Sequence, residues 1–442
     1  MSEIYRTEKC LGYVLSILLG REFLHKPECN CIAYIPRIQT EHIDAKVIIV
    51  ASDFFGQTYG TTVSLPQLPL RCIDGVPLLY GLPEIQRRDG RLIVYADIIA
   101  STFFLVTRYE EMIRRDVRDE HGRFPGKESL PYRAGFINRP IVDEYAVLLR
   151  KWLGEVDVDA PEPDRKFSVL LTHDVDSVRK YRCVLQPLRT AASVMLGRQK
   201  PQNLLESLGA SFRLKKDPFD TFEEIITLDS AARKQAAPTP VNVAYFFLAD
   251  GKTEFDSEYR IHSKAAGNAI KIVQQSKATI GLHTSYTAGI HPELISNEKK
   301  ILEDVCGLPI HCNRHHFLAW REIEDGRALA QAGIDWDTTL GYADVAGFRL
   351  GVCRPIPLFD PISIQPFSIE EHPLIVMDCT LSSPKYMNLN EDEAFAVCKG
   401  LIDQTRRFNG EFVMLWHNTV LAPERGNYHP KLYRRLLDEL SL

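Results

Sequence analysis

The sequence predicts an α/β protein in which residues 165–442 form a parallel, barrel-like sheet and residues 1–155 form an α+β unit of a different kind. Three observations lead there. From Phe167 onward, short apolar runs alternate with stretches able to form helices. Most of those runs end in a histidine or a carboxylate. Between the halves lies GEVDVDAPEPDRK, Gly154 to Lys166, acidic and punctuated by prolines, the strongest boundary signal in the chain.

A chain of 442 residues is long enough for two or three domains and a sizeable core. Hydrophobic residues at 45% and charged residues at 25% are ordinary for a soluble globular protein. The net charge of −5 argues against a general nucleic-acid binder, which needs a broad basic surface to displace counterions. At the N-terminus, acids and a lysine precede the apolar core Tyr13 to Leu19 and no small-residue cleavage site follows, so the segment reads as a first helix rather than a signal peptide. No other run approaches the ~18 apolar residues of a membrane span. Ten cysteines are scattered, several in apolar elements (Cys379, Cys398), as free thiols of a reducing compartment are; a cytoplasmic location is expected. Cys29 with Cys31, and Cys306 and Cys312 with His311, lack the second pair that a zinc-finger spacing requires.

In the first half, Val47 to Val50 with Ala51 reads as a strand and Asp97 to Arg115 as one helix ending in a basic turn, with a Pro/Gly-rich section from Gly56 to Gly90 between them. His25, His42, His121, Glu110 and Glu111 stand at no metal or triad spacing, so this half is expected to be an accessory or docking unit. In the second half the strand candidates are Phe167 to Leu171, Val241 to Phe247, Thr279 to His283, Ile310 to Phe317, Ile334 to Leu340, Leu374 to Leu381 and Phe412 to His417. A helix over Glu322 to Ala332 closes on Gly333. The clearest helix is Glu391 to Phe408: Asn390 and Glu393 form a capping box, Phe395, Cys398, Leu401, Ile402 and Phe408 line one face, and Gly410 supplies the stop. Seven such units are one short of the familiar eight.

The most informative stretch is FSVLLTHDVD, Phe167 to Asp176. Asp174 and Asp176 are one residue apart in an extended segment and so point to the same side, where they repel unless a cation or a shared proton sits between them. The plainer reading is a turn in which an aspartate caps the next segment. Recurrence tips the balance: Asp250, His283-Thr284-Ser285, Arg314-His315-His316, Asp337-Thr338-Thr339, Asp378 and His417-Asn418 all stand at the carboxyl ends of strand candidates. In a parallel barrel those ends share one rim.

Together, THDVD, IGLHTSY, the NRHHF segment, CRP at Cys353 to Pro355 and LWH at Leu415 to His417 resemble the polysaccharide deacetylase family, the NodB-homology or carbohydrate esterase family 4 enzymes, over roughly residues 165–425. The first half is similar to an uncharacterised domain that precedes this barrel in a bacterial subgroup. The resemblance implies a distorted (β/α)7 barrel and removal of an N-acetyl group from an amino sugar of a polysaccharide or cell-envelope glycan precursor, with the help of one divalent metal ion, usually zinc. By the same resemblance Asp174 is the general base, Asp176 and His283 bind metal, Arg314 orients the base and His417 is the general acid on the leaving amine. The chemistry is consistent with those roles, because an amide carbonyl is a poor electrophile that needs a Lewis acid, and its nitrogen leaves only when protonated.

This sequence departs from the family pattern at Thr287, four residues after His283, where a second histidine ligand is expected. A threonine hydroxyl is a weak neutral ligand. His316 is the replacement favoured here, ahead of His315 and His291; the plainer reading of each is a hydrogen-bonded structural histidine. Thr287 also supports a different class of function, a catalytically retired barrel that binds glycans or acts as a scaffold. A third reading keeps the hydrolase and changes the bond, to a cyclic imide or another linear amide. Finally, Arg179 to Lys216 carries nine Lys/Arg against one acid, Glu206, with Leu188, Val194, Met195, Leu204, Leu205 and Leu208 at helix-like intervals. A solvated helical insertion is the plainer reading; the functional one is a basic lip for an anionic glycan, a sugar nucleotide or a lipid-pyrophosphate carrier near a membrane surface.

Overall fold

A computed structural model of the chain describes residues 3–36, 44–181, 186–212, 214–256, 259–422 and 427–441; His42 lies outside them. In the first half, α1 (Glu3–Leu19) precedes β1 (Ile32–Ile35), β2 (Val47–Val50), the small hairpin β3 (Arg71–Ile73) and β4 (Val76–Leu78), then β5 (Gly81–Arg88) and β6 (Arg91–Ala96). The run VIIV is buried at every position because it occupies the interior of a four-stranded sheet ordered β1-β2-β6-β5. The single helix expected over 97–115 is two, α2 (Ile98–Val106) and α3 (Tyr109–Ile113). Arg108 breaks it in a left-handed conformation (φ 54°), which a non-glycine residue adopts only where its surroundings hold it. Here the hold is an ion pair with Glu322, 3.2 Å away and buried on both sides. Two further helices, α4 (Leu130–Arg133) and α5 (Ile141–Gly154), complete this half.

The second half contains β7 (Ser168–Val175), α6 (Gln186–Met195), α7 (Pro201–Ser211), α8 (Phe222–Gln235), β8 (Val241–Leu248), α9 (Lys264–Gln275), β9 (Thr279–Thr284), α10 (Tyr286–Ile290) and α11 (Ile295–Cys306). It continues with β10 (Cys312–His315), α12 (Glu324–Gln331), β11 (Trp336–Asp337), β12 (Ile356–Asp360), β13 (Gln365–Glu371), β14 (Val376–Met377), α13 (Asp378–Ser382), α14 (Glu391–Arg407), β15 (Glu411–Leu415) and α15 (His429–Leu440). Among the described residues the strands form one nine-stranded sheet in the order β12-β13-β11-β10-β9-β8-β7-β15-β14. Every expected strand is present and parallel to its neighbours, with changed limits. The candidate at Ile334 to Leu340 shrinks to β11, and that at Leu374 to Leu381 stops at Met377 because Asp378 begins a helix. The antiparallel hairpin β12–β13 was not anticipated; it adds β13 alongside β11. The capping box at Asn390 and Glu393 is formed as expected.

Strong curling makes this sheet a distorted, open barrel. β10 and β7 are three strand spacings apart, about 14 Å in a flat sheet. Yet Arg314 on β10 reaches Thr172 Oγ1 on β7 at 2.7 Å, because both side chains point into the concave face. A consequence is that all the parallel strands aim their carboxyl ends at one small volume.

Residues 155–167 run without regular structure between the two sheets, but one apolar core is continuous from α1 to α15. Buried ion pairs also cross between the halves: Arg349 with Glu111 (Nε–Oε1 2.9 Å) and Arg354 with Asp143 (2.6 Å). Each of these side chains is less than a tenth exposed. Removing one partner leaves an uncompensated charge in a low-dielectric interior, so Glu111→Ala is expected to lower stability by about 3–5 kcal/mol in urea unfolding monitored by circular dichroism. Replacing Glu111 and Arg349 together with apolar residues of similar volume is expected to recover much of that loss.

Candidate active site

The pleat of β7 sorts the THDVD residues. Thr172 and Asp174 face the concave side and meet Arg314 (Nη1 to Thr172 Oγ1 2.7 Å, to Asp174 Oδ1 3.2 Å), and Asp176 follows just beyond the strand. His173 faces the other way. Its Nδ1 is 2.8 Å from the Trp416 carbonyl and its Nε2 is 3.1 Å from Asp229 Oδ2 on α8, so it braces the sheet rather than entering the cleft. Arg314 is fully buried: Nε donates to the Thr338 carbonyl (3.0 Å), Nη2 to Thr338 Oγ1 (2.9 Å), and the guanidinium lies 4.9 Å from the Phe246 ring centroid. Gly281 in the IGLH run makes room for that ring, since a Cβ there would stand 2.5 Å from Phe246.

Asp176, His283 and His316 bring one ligand atom each within 4.8 Å of one another. His283 Nε2 is 3.4 Å from Asp176 Oδ1, and His316 Nε2 is 3.7 Å from the same oxygen. The Nδ1 of His283 lies 2.8 Å from the Arg314 carbonyl, an acceptor only, so Nδ1 carries a proton and Nε2 is the atom turned to the cleft. Burial opposes a second proton there, but Asp174 and Asp176 override it and raise the pKa of the ring, so a cation would bind in competition with that proton. Asp176 Oδ1 and His283 Nε2 are buried and have no hydrogen-bond partner among the described residues. Buried polar atoms are rarely left so, and a carboxylate oxygen and a ring nitrogen facing each other at 3.4 Å without a hydrogen bond make a place that a cation can occupy. The donor set, one carboxylate and two imidazoles, fits a divalent transition metal with open coordination positions.

His417 completes the cleft. Its Nδ1 donates to Asp378 Oδ1 (2.9 Å), its backbone N–H donates to Asp378 Oδ2 (2.6 Å), and its Nε2 points inward, 3.6 Å from Asp176 Oδ2. Asp378, Cys379 and His417 are also close enough to hold a cation, but both Asp378 oxygens are already committed to His417, so the group reads as an imidazole with its orienting carboxylate. The charges reinforce one another. Burial opposes ionisation of Asp176, yet His417, His316 and His283 around it hold its carboxyl far below the usual range. Burial likewise opposes protonation of His417, and Asp378 and then Asp176 override it, raising its pKa well above the ordinary imidazole value. For His316 burial wins and the pKa falls to about 4, leaving the neutral imidazole that a metal requires.

Thr287 does not line this cleft. Its hydroxyl donates to Asp256 Oδ2 (2.6 Å) and accepts from the Lys252 backbone N–H (2.9 Å), fastening α10 to the loop after β8. His291 is exposed beside Glu293, and His315 points behind the site, with Nδ1 3.0 Å from Asn313 Nδ2. Of the three replacements considered for the missing histidine, only His316 reaches the cleft. All six residues singled out from the sequence (Asp174, Asp176, His283, Arg314, His316 and His417) therefore converge.

The cleft encloses about 190 Å³ and is closed by Leu318, Met377, Leu415, Tyr386 and, from the first half of the chain, Arg123. Arg123 was not anticipated. Its Nε donates to Asp119 (2.7 Å), Nη1 to the Phe317 carbonyl (3.0 Å) and Nη2 to Tyr386 Oη (3.0 Å), so the first half fixes two walls of the site. Phe317 and Leu318, directly after His316, sit in left-handed conformations (φ 60° and 55°), strain that this anchoring helps to hold. Just outside, His121, Phe255, Tyr286 and Phe317 pack as an aromatic group, with ring centroids 4.5 Å apart for His121–Phe317 and 4.9 Å for Phe255–Tyr286. A larger groove of about 730 Å³ between α1 and the β12–β13 hairpin contains none of the clustered histidines or acids.

Residues 5–157 match the model of a family of unknown function, DUF7033. No curated protein matches the chain. Among solved structures, the chain is similar to a putative polysaccharide deacetylase from Mycobacterium smegmatis at 15% identity and a TM-score of 0.41, with 64% of this chain and 86% of that one covered. It is also similar to a polysaccharide deacetylase from Bacillus cereus at 11% identity and a TM-score of 0.29, over 62% of this chain and 87% of that one. Among the described residues no helix is long and apolar enough to cross a membrane.

Proposed function

We propose that the protein is a metal-dependent amide hydrolase that removes the N-acetyl group from an amino sugar of a glycan or glycan precursor. The observation that carries this reading is the pair of buried, partnerless atoms Asp176 Oδ1 and His283 Nε2, flanked by His316 and set between a carboxylate locked to arginine and an imidazole locked to a carboxylate. Zinc suits the donor set best. When bound by Asp176, His283 and His316, such an ion supplies the Lewis acidity that polarises the acetyl carbonyl and activates water.

The chain supplies the proton transfers. Arg314 holds Oδ1 of Asp174, which leaves Oδ2 facing the cluster, 3.6 Å from His283 Nε2, to take a proton from the attacking water. His417 holds a proton at Nε2, stabilised by Asp378 behind it, and delivers it to the departing sugar nitrogen. Leu318, Met377 and Leu415 exclude bulk water from a volume suited to an acetyl group and the edge of a sugar ring. The aromatic group at the mouth offers flat apolar faces to the neighbouring ring of the substrate. Phe255 stands at its exposed edge, and Phe255→Ala is expected to raise KM several-fold on an N-acetylated oligosaccharide and to leave kcat within about twofold, in steady-state acetate-release assays.

The reading is tested by acetate release from a panel of N-acetylated amino sugars and oligosaccharides, using metal-loaded protein and its Asp174→Asn variant. Release by the wild type and its loss in the variant are expected. A protein that binds one metal ion and releases no acetate from any member would instead fit a retired, glycan-binding barrel. Thr287, the residue that favours that alternative, bonds Asp256, and His316 stands in the cleft with Asp176 and His283, which supports the hydrolase reading. A cytoplasmic location remains part of the proposal, together with a bacterial origin.

A further inference from the structure

The chain leaves the cleft rim after Asp176 and runs through α6 and α7 before returning to the barrel at α8. This helical pair is inside out. Its buried positions are Pro187 and Thr190 on α6 and Ser207 and Gly209 on α7, with Thr190 Oγ1 3.4 Å from Ser207 Oγ. Its large apolar side chains face solvent instead. Leu188 and Met195 stand two turns apart on α6, and Leu205, Leu208 and Phe212 follow helical spacing along α7 and its C-cap. Exposure reaches 84% for Met195, 71% for Leu205 and 80% for Leu214. Seven of the sixteen large apolar side chains exposed among the described residues fall between 188 and 214, a concentration that scattered surface apolars do not show.

The charge around this face is equally uneven. Arg189, Arg198, Lys200 and Lys215 are exposed and meet no carboxylate among the described residues, although the chain as a whole carries a net charge of −5. An apolar face alone would suit a second copy or another protein. Unpaired cations set among exposed leucines, with Glu206 the sole acid from Arg179 to Lys216, complement an anionic lipid interface.

We propose that the α6–α7 pair docks on the surface of a bilayer containing anionic phospholipid, with Leu188, Met195, Leu205, Leu208 and Phe212 entering the headgroup boundary. The inference stands apart from the hydrolase reading and is tested without any activity.

Full-length protein is floated with phosphatidylcholine vesicles prepared with and without phosphatidylglycerol, at low and physiological salt. Binding to the anionic vesicles only, weakened by salt, is expected. Arg198→Glu combined with Lys200→Glu is expected to reduce partitioning about tenfold or more. Leu205→Glu combined with Phe212→Glu is expected to reduce it comparably, with melting temperatures compared to the wild type. Leu214→Glu, at an exposed position beyond the end of α7, adds a charge next to the pair without altering a helix and is expected to weaken binding in the same direction. Failure of the wild-type protein to bind anionic vesicles overturns the proposal, as does binding that survives all three changes. Self-association in light scattering that Leu205→Glu abolishes, without vesicle binding, would reassign the face to a contact between copies of the chain.

Discussion

Asp378→Asn is expected to lower kcat for deacetylation by about 10²–10⁴-fold while leaving metal content unchanged. Two donors of His417, the backbone N–H and Nδ1–H, converge on the two oxygens of this buried carboxylate at 2.6 and 2.9 Å. An amide has one oxygen and one NH2 group, so it can satisfy only one of those donors. The other is left facing a second donor, which rotates the ring or shifts its proton from Nδ1 to Nε2 and removes the negative charge that stabilises the protonated form. Burial opposes that form, and Asp378 is the foremost group overriding it, so its loss lowers the His417 pKa. The expected signature separates proton donation from general damage. An aryl acetate, whose leaving group departs without a proton, should lose less than about tenfold in kcat/KM, because only the amide step depends on His417 as an acid. Equal losses on both substrates, or loss of metal, would instead make Asp378 part of the metal site.

What the sequence made legible was the part of the site written in strand ends. A parallel sheet delivers its terminal residues to one rim, so a carboxylate or histidine closing an apolar run could be placed without knowing the path of the chain. Strand ends brought Asp174, Asp176, His283, Arg314 and His417 to one rim, the resemblance to the deacetylase family singled them out from their neighbours there, and His316 followed because Thr287 departs from that family's pattern. The remainder depends on contacts between residues far apart in sequence. Asp378 was visible as a strand end, yet its task became clear only where β14 lies beside β15 and the two side chains meet. Arg123 lies at no motif spacing, in a half whose local pattern carries no chemistry, and acquires its place through Phe317 and Tyr386. The helix over 97–115 looked continuous because apolar periodicity persists through Arg108; an ion pair to Glu322, 214 residues away, breaks it. The prolines and acids from Gly154 to Lys166 correctly separate two sheets but conceal a shared core, since composition reports where a chain is extended and not what packs across it.

Removing the third ligand should have the largest effect on metal binding. His316→Ala is expected to weaken binding of zinc by at least about 100-fold in competition with a chelator, since changes to residues that merely orient ligands already cost 10–100-fold. Acetate release should fall in proportion to metal content and recover in part at high zinc. The companion variant Thr287→His decides whether the departure at that position is a loss or a relocation. Restoring the histidine spacing, four residues after His283, is expected not to restore metal affinity in the His316→Ala background. The reason is mechanical: the Thr287 side chain is held by Asp256 and the Lys252 backbone and does not line the cleft that contains Asp176. A histidine there must abandon both bonds and swing the start of α10 to reach the ion. It is expected to lower the melting temperature by a few degrees through those lost hydrogen bonds, each worth about 1 kcal/mol. Recovery of affinity in the double variant would show that α10 is free to move and that position 287 lost a ligand which His316 replaced only in part. Without recovery, the strained turn at Phe317 and Leu318, pinned by Arg123 from the first half, is what places the third ligand, and the site depends on both halves of the chain.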